Sequence, residues 1–285
     1  MTVRPEDYHS DVENAWCPGC GNFGILKAVR RALVELDLPP RRVVICTGIG
    51  QAPKLPHYLR VNTFNGLHGR EVAAATAVKL CASDLTVLVH AGDGGAYGEG
   101  GNHLIHAMRR NIDITVVVHD NKTYGLTKGQ ASPTTELGER TKIQPAGLHS
   151  SPLNPLALAI SQSAAFVAQG MSAKEDHLVD LLKRGVGNRG FSLINVLQPC
   201  VTWDKLHTYK YYQEHCYELG GEHDPKNRAR AVELVCQPGE KIPLGVIYQQ
   251  ERPAYDQLVL GDLPRPLRDQ PPDPQAAVRL LSRFT

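Results

Sequence analysis

Four runs of β-branched and aliphatic residues, RVVICT (42–47), LTVLVH (85–90), IDITVVVH (112–119) and FSLINVL (191–197), recur along the 285 residues, separated by helix-like sequence. Unbroken apolar runs of this length read as strands buried on both faces, which is how parallel sheets are written. Between them, Leu26, Val29, Leu33 and Leu36 repeat at three- and four-residue steps, the spacing of one helical face. Pro39-Pro40 ends that helix. The Ala-rich stretch 70–82 and residues 102–110, 155–168 and 173–185 also read as helices. Strands alternating with helices predict an α/β fold, an open, mostly parallel sheet with helices on both faces. Ligands of such sheets bind at the carboxyl ends of the strands.

Composition narrows the classes of function. Lys plus Arg number 31 against 29 Asp plus Glu, a net charge of +2, which argues against a nucleic-acid partner held by bulk charge. No stretch of about 18 apolar residues occurs and the first residues mix charges, so the expectation is a cytoplasmic protein with no membrane partner. Seven cysteines in a long chain do not suit a disulfide framework and are read for metal chemistry instead. After Cys200 the sequence turns aromatic and charged, then Pro-rich. The expected organisation is one domain over residues 1–200 and a C-terminal arm or lid over 201–285.

Gly92-Asp93-Gly94-Gly95 follows one strand directly, and Asp120-Asn121 ends the next. Either half alone is most simply a turn. Together they land on one edge of the sheet and offer hard oxygen ligands, a carboxylate, an amide and a nearby carbonyl, suited to Mg²⁺ bridged to a diphosphate. The glycines admit close backbone approach, and the helix opened by residues 98–102 favours an anion at its start.

These motifs resemble the thiamine-diphosphate signature, and the stretch from Gly100 to Thr135 is similar to the β subunit of 2-oxoacid:ferredoxin oxidoreductases, closest to the 2-oxoglutarate type. The likeness extends to Trp16–Gly21 (WCPGCG), Leu67–Arg70 (LHGR), Asn195–Val201 (NVLQPCV) and Lys241–Pro253. It implies thiamine diphosphate in a site lined by Gly48, Ile49, His68, Gly92, Asp93, Gly94, Gly95, Asn121, Thr123, Gly125, Leu126 and Thr127, with Mg²⁺ on Asp93, Asn121 and the Thr123 carbonyl. It further implies an α subunit supplying the aminopyrimidine half of the site, in an αβ or (αβ)₂ assembly, so that this chain alone is inactive. The reaction implied is decarboxylation of a 2-oxoacid with coenzyme A capturing the acyl group and ferredoxin taking electrons, or its reverse. Leu126 matches the apolar residue that bends the cofactor. Lys54 matches the position from which a basic residue faces the substrate carboxylate. His68 is expected to contact the diphosphate or carry protons.

Cys17-x-x-Cys20 alone is compatible with zinc, an iron–sulfur cluster or a redox pair. The resemblance makes Cys17, Cys20 and Cys200 three ligands of a [4Fe–4S] cluster. The fourth position is a cysteine in the family and Gln51 here. Cys46, about 16 Å away along an extended strand, is read as a buried strand thiol, and Cys81, Cys216 and Cys236 as packing residues. The Gln51 departure keeps two alternatives in view: a cluster-free thiamine-diphosphate decarboxylase or lyase, and a non-catalytic subunit with structural zinc on the three cysteines. His103 and His106 read as structural, and Arg109-Arg110 as a solvated helix end.

Overall fold

The computed structural model describes all residues except Met1, Pro238, Glu240, Asp262, Pro264, Pro272, Phe284 and Thr285. Helix α1 (Asn22–Glu35) buries Ile25, Ala28, Val29, Ala32 and Leu33, an i, i+3, i+4, i+7, i+8 stripe. Next come β1 (Val43–Thr47), β2 (Asn62–Asn65), α2 (Glu71–Cys81), β3 (Thr86–Gly92), α3 (Gly101–Arg110) and β4 (Thr115–Asp120). A hairpin of β5 (Thr123–Tyr124) and β6 (Gln130–Ala131) precedes α4 (Pro155–Ser161), β7 (Phe166–Met171), α5 (Glu175–Gly187) and β8 (Ser192–Leu197). The rest comprises α6 (Tyr209–His215), β9 (Cys216–Glu218), α7 (Arg228–Cys236), β10 (Ile242–Gln249), α8 (Tyr255–Leu260) and α9 (Pro274–Leu281).

The main sheet runs β2-β1-β3-β4-β8-β7-β10-β9, with every neighbouring pair parallel except β7 and β10. Successive strand residues feed opposite cores. Val44, Val116 and Leu193 pack with Leu104 and Met108 of α3 on one side. Ile45, Val117 and Ile194 pack with Val29 of α1 and Leu178 of α5 on the other. Two covered faces and a period of two are why these strands appear as unbroken apolar runs.

The structure departs from the sequence reading in three places. The helix expected over 155–168 stops at Ser161, and Phe166–Met171 is instead a fully buried strand between β8 and β10. Ser163 turns the chain at φ +57°, and the burial offered by the sheet overrides the helical preference of an Ala-rich stretch. Second, β2 (NTFN) is exposed along its length and carries no hydrophobic signal. Amide side chains hold it: Asn62 donates to the Val43 carbonyl at 3.0 Å, and Asn65 to the Thr47 hydroxyl and the Gly48 carbonyl at 2.9 and 3.0 Å. Third, the expected arm over 201–285 is divided. β10 pairs antiparallel with β7 inside the main sheet, whereas the Pro-rich end lies over the chain's own surface, where Arg268 meets Asp84 at 2.7 Å. Seven residues of that expected arm lie outside the described ones.

Candidate active site

Strands β1, β3 and β4 are adjacent and parallel, so their carboxyl ends share one edge. The chain leaves β1 toward β2 on one side and returns as β3 on the other, which makes the β1/β3 gap the switch point where such sheets bind ligands. There a cavity of about 150 Å³ is lined by Ile49, Gly50 and Gln51 after β1, by His68, by Gly92–Gly95 after β3, and by Asn121 and Thr123–Thr127 after β4. Every residue expected to line a cofactor site is present except Gly48, which lies behind the wall. A Cβ at Gly48 would strike the Glu71 carboxylate, and one at Gly94 the Tyr124 ring. A Cβ at Gly125 would enter the space between the Asn121 amide and Gln51. Gly94→Ala is therefore expected to push Tyr124 aside and to lower stability by about 1–3 kcal/mol, read as a fall in Tm alongside weakened cofactor binding.

The acidic floor is unusual. Asp93 is 2 % exposed and Asp120 4 %. Asp93 Oδ2 accepts from the Ser132 hydroxyl at 2.5 Å. The Thr134 hydroxyl oxygen lies 2.7 Å from both Asp93 Oδ2 and Asp120 Oδ1, yet a hydroxyl has one proton to donate. Burial, and then the charge of Asp120, push the Asp93 carboxyl up to about 7. Lys122, at φ +56°, stands nearby but donates to the Thr134 carbonyl and Glu136. A buried carboxylate that shares one hydroxyl with a second, and a glycine-lined space in front of it, form a donor set that fits a hard divalent cation carrying a diphosphate. Asn121 Oδ1 accepts from the Thr123 amide at 3.1 Å, which turns the chain so that both residues line the cavity.

His68 is held at both ring nitrogens: Nδ1 lies 2.8 Å from the Ile49 carbonyl and Nε2 2.9 Å from Glu99. Both partners are hydrogen-bond acceptors. Glu99, which also accepts from the Tyr124 hydroxyl at 3.2 Å, was not legible as a site residue. Lys54 sits one residue beyond the lining segment and is half-buried.

Comparison with known proteins agrees with this geometry. Residues 46–196 match the family model for the C-terminal thiamine-pyrophosphate-binding domain of thiamine pyrophosphate enzymes, and residues 200–261 that for the C-terminal part of the pyruvate ferredoxin oxidoreductase β subunit. The β subunit of 2-oxoacid:ferredoxin oxidoreductase 1 from Aeropyrum pernix is 40% identical over 93% of this chain and 87% of its own length. This chain belongs to the 2-oxoacid:ferredoxin oxidoreductase β-subunit family. The 2-oxoglutarate oxidoreductase subunit KorB of Mycobacterium tuberculosis is 44% identical over 69% of the chain and 53% of its own length. The 2-oxoglutarate:ferredoxin oxidoreductase of Magnetococcus marinus, solved with 2-oxoglutarate, coenzyme A and succinyl-CoA bound, superposes at a TM-score of 0.91, with 34% identity over 98% of this chain and 96% of the other.

Within this oxidoreductase β subunit, Cys20 is near enough to Cys17 and Cys200 to feel the charge of both. The Cys20 amide closes a turn on the Cys17 carbonyl at 3.0 Å. The Cys20 thiol is raised to about 11, first by burial and then by Cys200 and Cys17. Gln198 donates to Cys20 Sγ at 3.6 Å. Among the described residues, these sulfurs are not gathered within 4.8 Å of one another, as ligands of a single tetrahedral zinc ion, spaced about 3.8 Å, would be. Trp16 ties the Gln51 carbonyl to this segment at 2.8 Å, while Gln51 Oε1 is buried with no partner. Three thiols, with a residue tied to their segment that carries an orphaned amide oxygen, are compatible with a cluster that has one non-thiolate corner. Cys46 is fully buried in the core on the opposite face from Cys20, as the strand reading anticipates. Cys81 and Cys236, expected to pack, are exposed, and Cys216 is half-buried.

Proposed function

We propose that this β subunit serves a thiamine-diphosphate- and Mg²⁺-dependent 2-oxoglutarate:ferredoxin oxidoreductase that forms or consumes an acyl-coenzyme A. The observation that carries the reading is the buried carboxylate of Asp93 in the β1/β3 cavity, joined through the Thr134 hydroxyl to the equally buried Asp120. Asp93, the Asn121 amide oxygen and the Thr123 carbonyl would hold Mg²⁺, and the Gly92–Gly95 backbone would face the diphosphate. Thiamine diphosphate, when bound, supplies the carbanion-stabilising chemistry by which a 2-oxoacid exchanges CO₂. Cys17, Cys20 and Cys200 would hold an iron–sulfur cluster, which would supply one-electron chemistry toward ferredoxin.

This chain's own side chains orient and shield. His68 ties the Ile49 carbonyl to Glu99 beside the diphosphate space, and Leu126 borders the reacting end. Lys54 presents an ammonium to the substrate carboxylate. Ile49 and Leu126, which line the cavity, are 46 and 42 % exposed, apolar surface suited to an α subunit that closes the site and excludes water. The Pro-rich end after β10 is the part of the chain that would pack on that partner. Among the described residues, no helix is long and apolar enough to cross a membrane.

His68→Gln breaks the tie between the Ile49 carbonyl and Glu99, where an ordinary hydrogen bond is worth about 0.5–1.5 kcal/mol, so the dissociation constant for thiamine diphosphate, followed by fluorescence quenching, is expected to rise by about two- to tenfold. The deciding experiment is co-expression with the α subunit, anaerobic purification, and measurement of iron, sulfide, zinc and the EPR spectrum of the reduced complex. About four irons per αβ unit with a reduced-cluster signal supports the reading. The Gln51 position favours one competitor, a cluster-free thiamine-diphosphate decarboxylase. Absence of iron together with aldehyde formation would establish it.

A further inference from the structure

Beyond Thr134, on the other side of Asp120 and Lys122, lies a second and larger cavity of about 390 Å³ that no step of the proposed reaction uses. His207 lines it, and Glu139, Asp204 and His207 bring one ligand atom each within 4.8 Å of one another. Asp204 and His207 are each 5 % exposed, so this is not a solvated acidic patch. Asp204 Oδ1 accepts from the Leu206 and His207 amides at 2.8 and 3.0 Å, and Oδ2 lies 2.8 Å from His207 Nδ1. That contact sets the two ligand atoms side by side, where a cation taking the place of the Nδ1 proton would meet both.

Two further atoms are left without partners. Glu139 Oε2 is buried and accepts nothing. The Tyr212 hydroxyl, on a fully buried side chain that lines the same cavity as His207, has no partner either, and Asp120 and Asp204 are among the charges that reach it. The nearby ammonium of Lys122 is already engaged by Thr134 and Glu136. A buried acceptor without a partner, next to a second carboxylate and an imidazole, is satisfied by a cation shared among the three.

We propose that Glu139, Asp204 and His207 form a second divalent-cation site, separate from the one at Asp93. Two carboxylates and one imidazole suit a transition-series ion such as Mn²⁺ or Zn²⁺, whereas Ca²⁺ takes oxygen ligands. The ion ties the loop that carries Glu139 to the turn that begins at Cys200, and so braces a cluster cysteine.

The test uses the αβ complex, stripped with a chelator and resupplied with thiamine diphosphate, with free Mn²⁺ followed by EPR during a titration. Two ions per αβ unit are expected, falling to one in Glu139→Gln and in His207→Gln, while the ion that depends on thiamine diphosphate persists and certifies that both variants are folded. A single ion that is indifferent to thiamine diphosphate and lost in both variants upholds this site and refutes the reading at Asp93. One ion in the wild type that both variants keep, or two ions in all three proteins, overturns the proposal and leaves the cluster as a buried ion pair.

Discussion

Asp93→Asn is expected to make the cofactor-free complex more stable while abolishing its hold on Mg²⁺ and thiamine diphosphate. The carboxyl is raised from 3.8 to about 7 by burial and by Asp120. Below pH 4 the folded and unfolded chains both carry this proton and the site contributes no difference. As pH rises toward 7 the unfolded chain releases it first, so the native state loses up to about 4 kcal/mol at 1.36 kcal/mol per pH unit. The substituted amide keeps the shape of the carboxyl and can still meet the Ser132 and Thr134 hydroxyls without a charge. The variant's Tm advantage should therefore be absent near pH 4 and reach several degrees at pH 8. Bound Mg²⁺ should erase that gap in the wild type. Two results would sink the argument: an Asp93→Asn variant less stable than the wild type at pH 8 without cofactor, or one that retains thiamine diphosphate with wild-type affinity.

How far these features were legible depends on whether a residue's role is local. The four apolar strands and α1 declared themselves through periodicity, because burial on both faces or on one stripe leaves a pattern in sequence. Gly92–Gly95 and Asp120-Asn121 were readable because strand ends fix where they land. β7 was hidden, since AAFVAQ is equally a helix until a neighbouring strand is in place. β2 is held by Asn62 and Asn65, a device with no hydrophobic signature. Glu99 and Glu139 were missed for a related reason: what matters is which distant group each one faces, His68 in one case and Asp204 and His207 in the other. Gln51 was visible as a departure from the family, but only the fold places its orphaned oxygen between the Cys17 segment and the cavity.

A second large effect is expected from a pair of histidines that the sequence offered no reason to single out. His90 in β3 and His119 in β4 are wholly buried, with His90 Nδ1 2.9 Å from His119 Nε2 and His119 Nδ1 2.7 Å from Asn22 Oδ1. The amide oxygen accepts, so His119 donates through Nδ1 and accepts at Nε2, and both rings are neutral. Burial pushes His90 down to about 3 and His119 well below its ordinary value. Folding therefore excludes two protons that the unfolded chain takes up below about pH 6.5. Stability from this pair is complete above that pH and falls as the medium is acidified, by about 2.7 kcal/mol per pH unit for two protons. In the cofactor-free protein Asp93 works the other way over the same range, because there the folded chain holds a proton that the unfolded chain has released. The two effects leave a slope of about one proton in the wild type and about two in Asp93→Asn or with Mg²⁺ bound. His90→Gln, which can still donate to His119, should remove one proton from the slope in each background and move the acid-unfolding midpoint to lower pH. Denaturant melts at intervals between pH 4.5 and 6.5 would measure it, and an unchanged slope would mean that the rings are protonated in the folded chain.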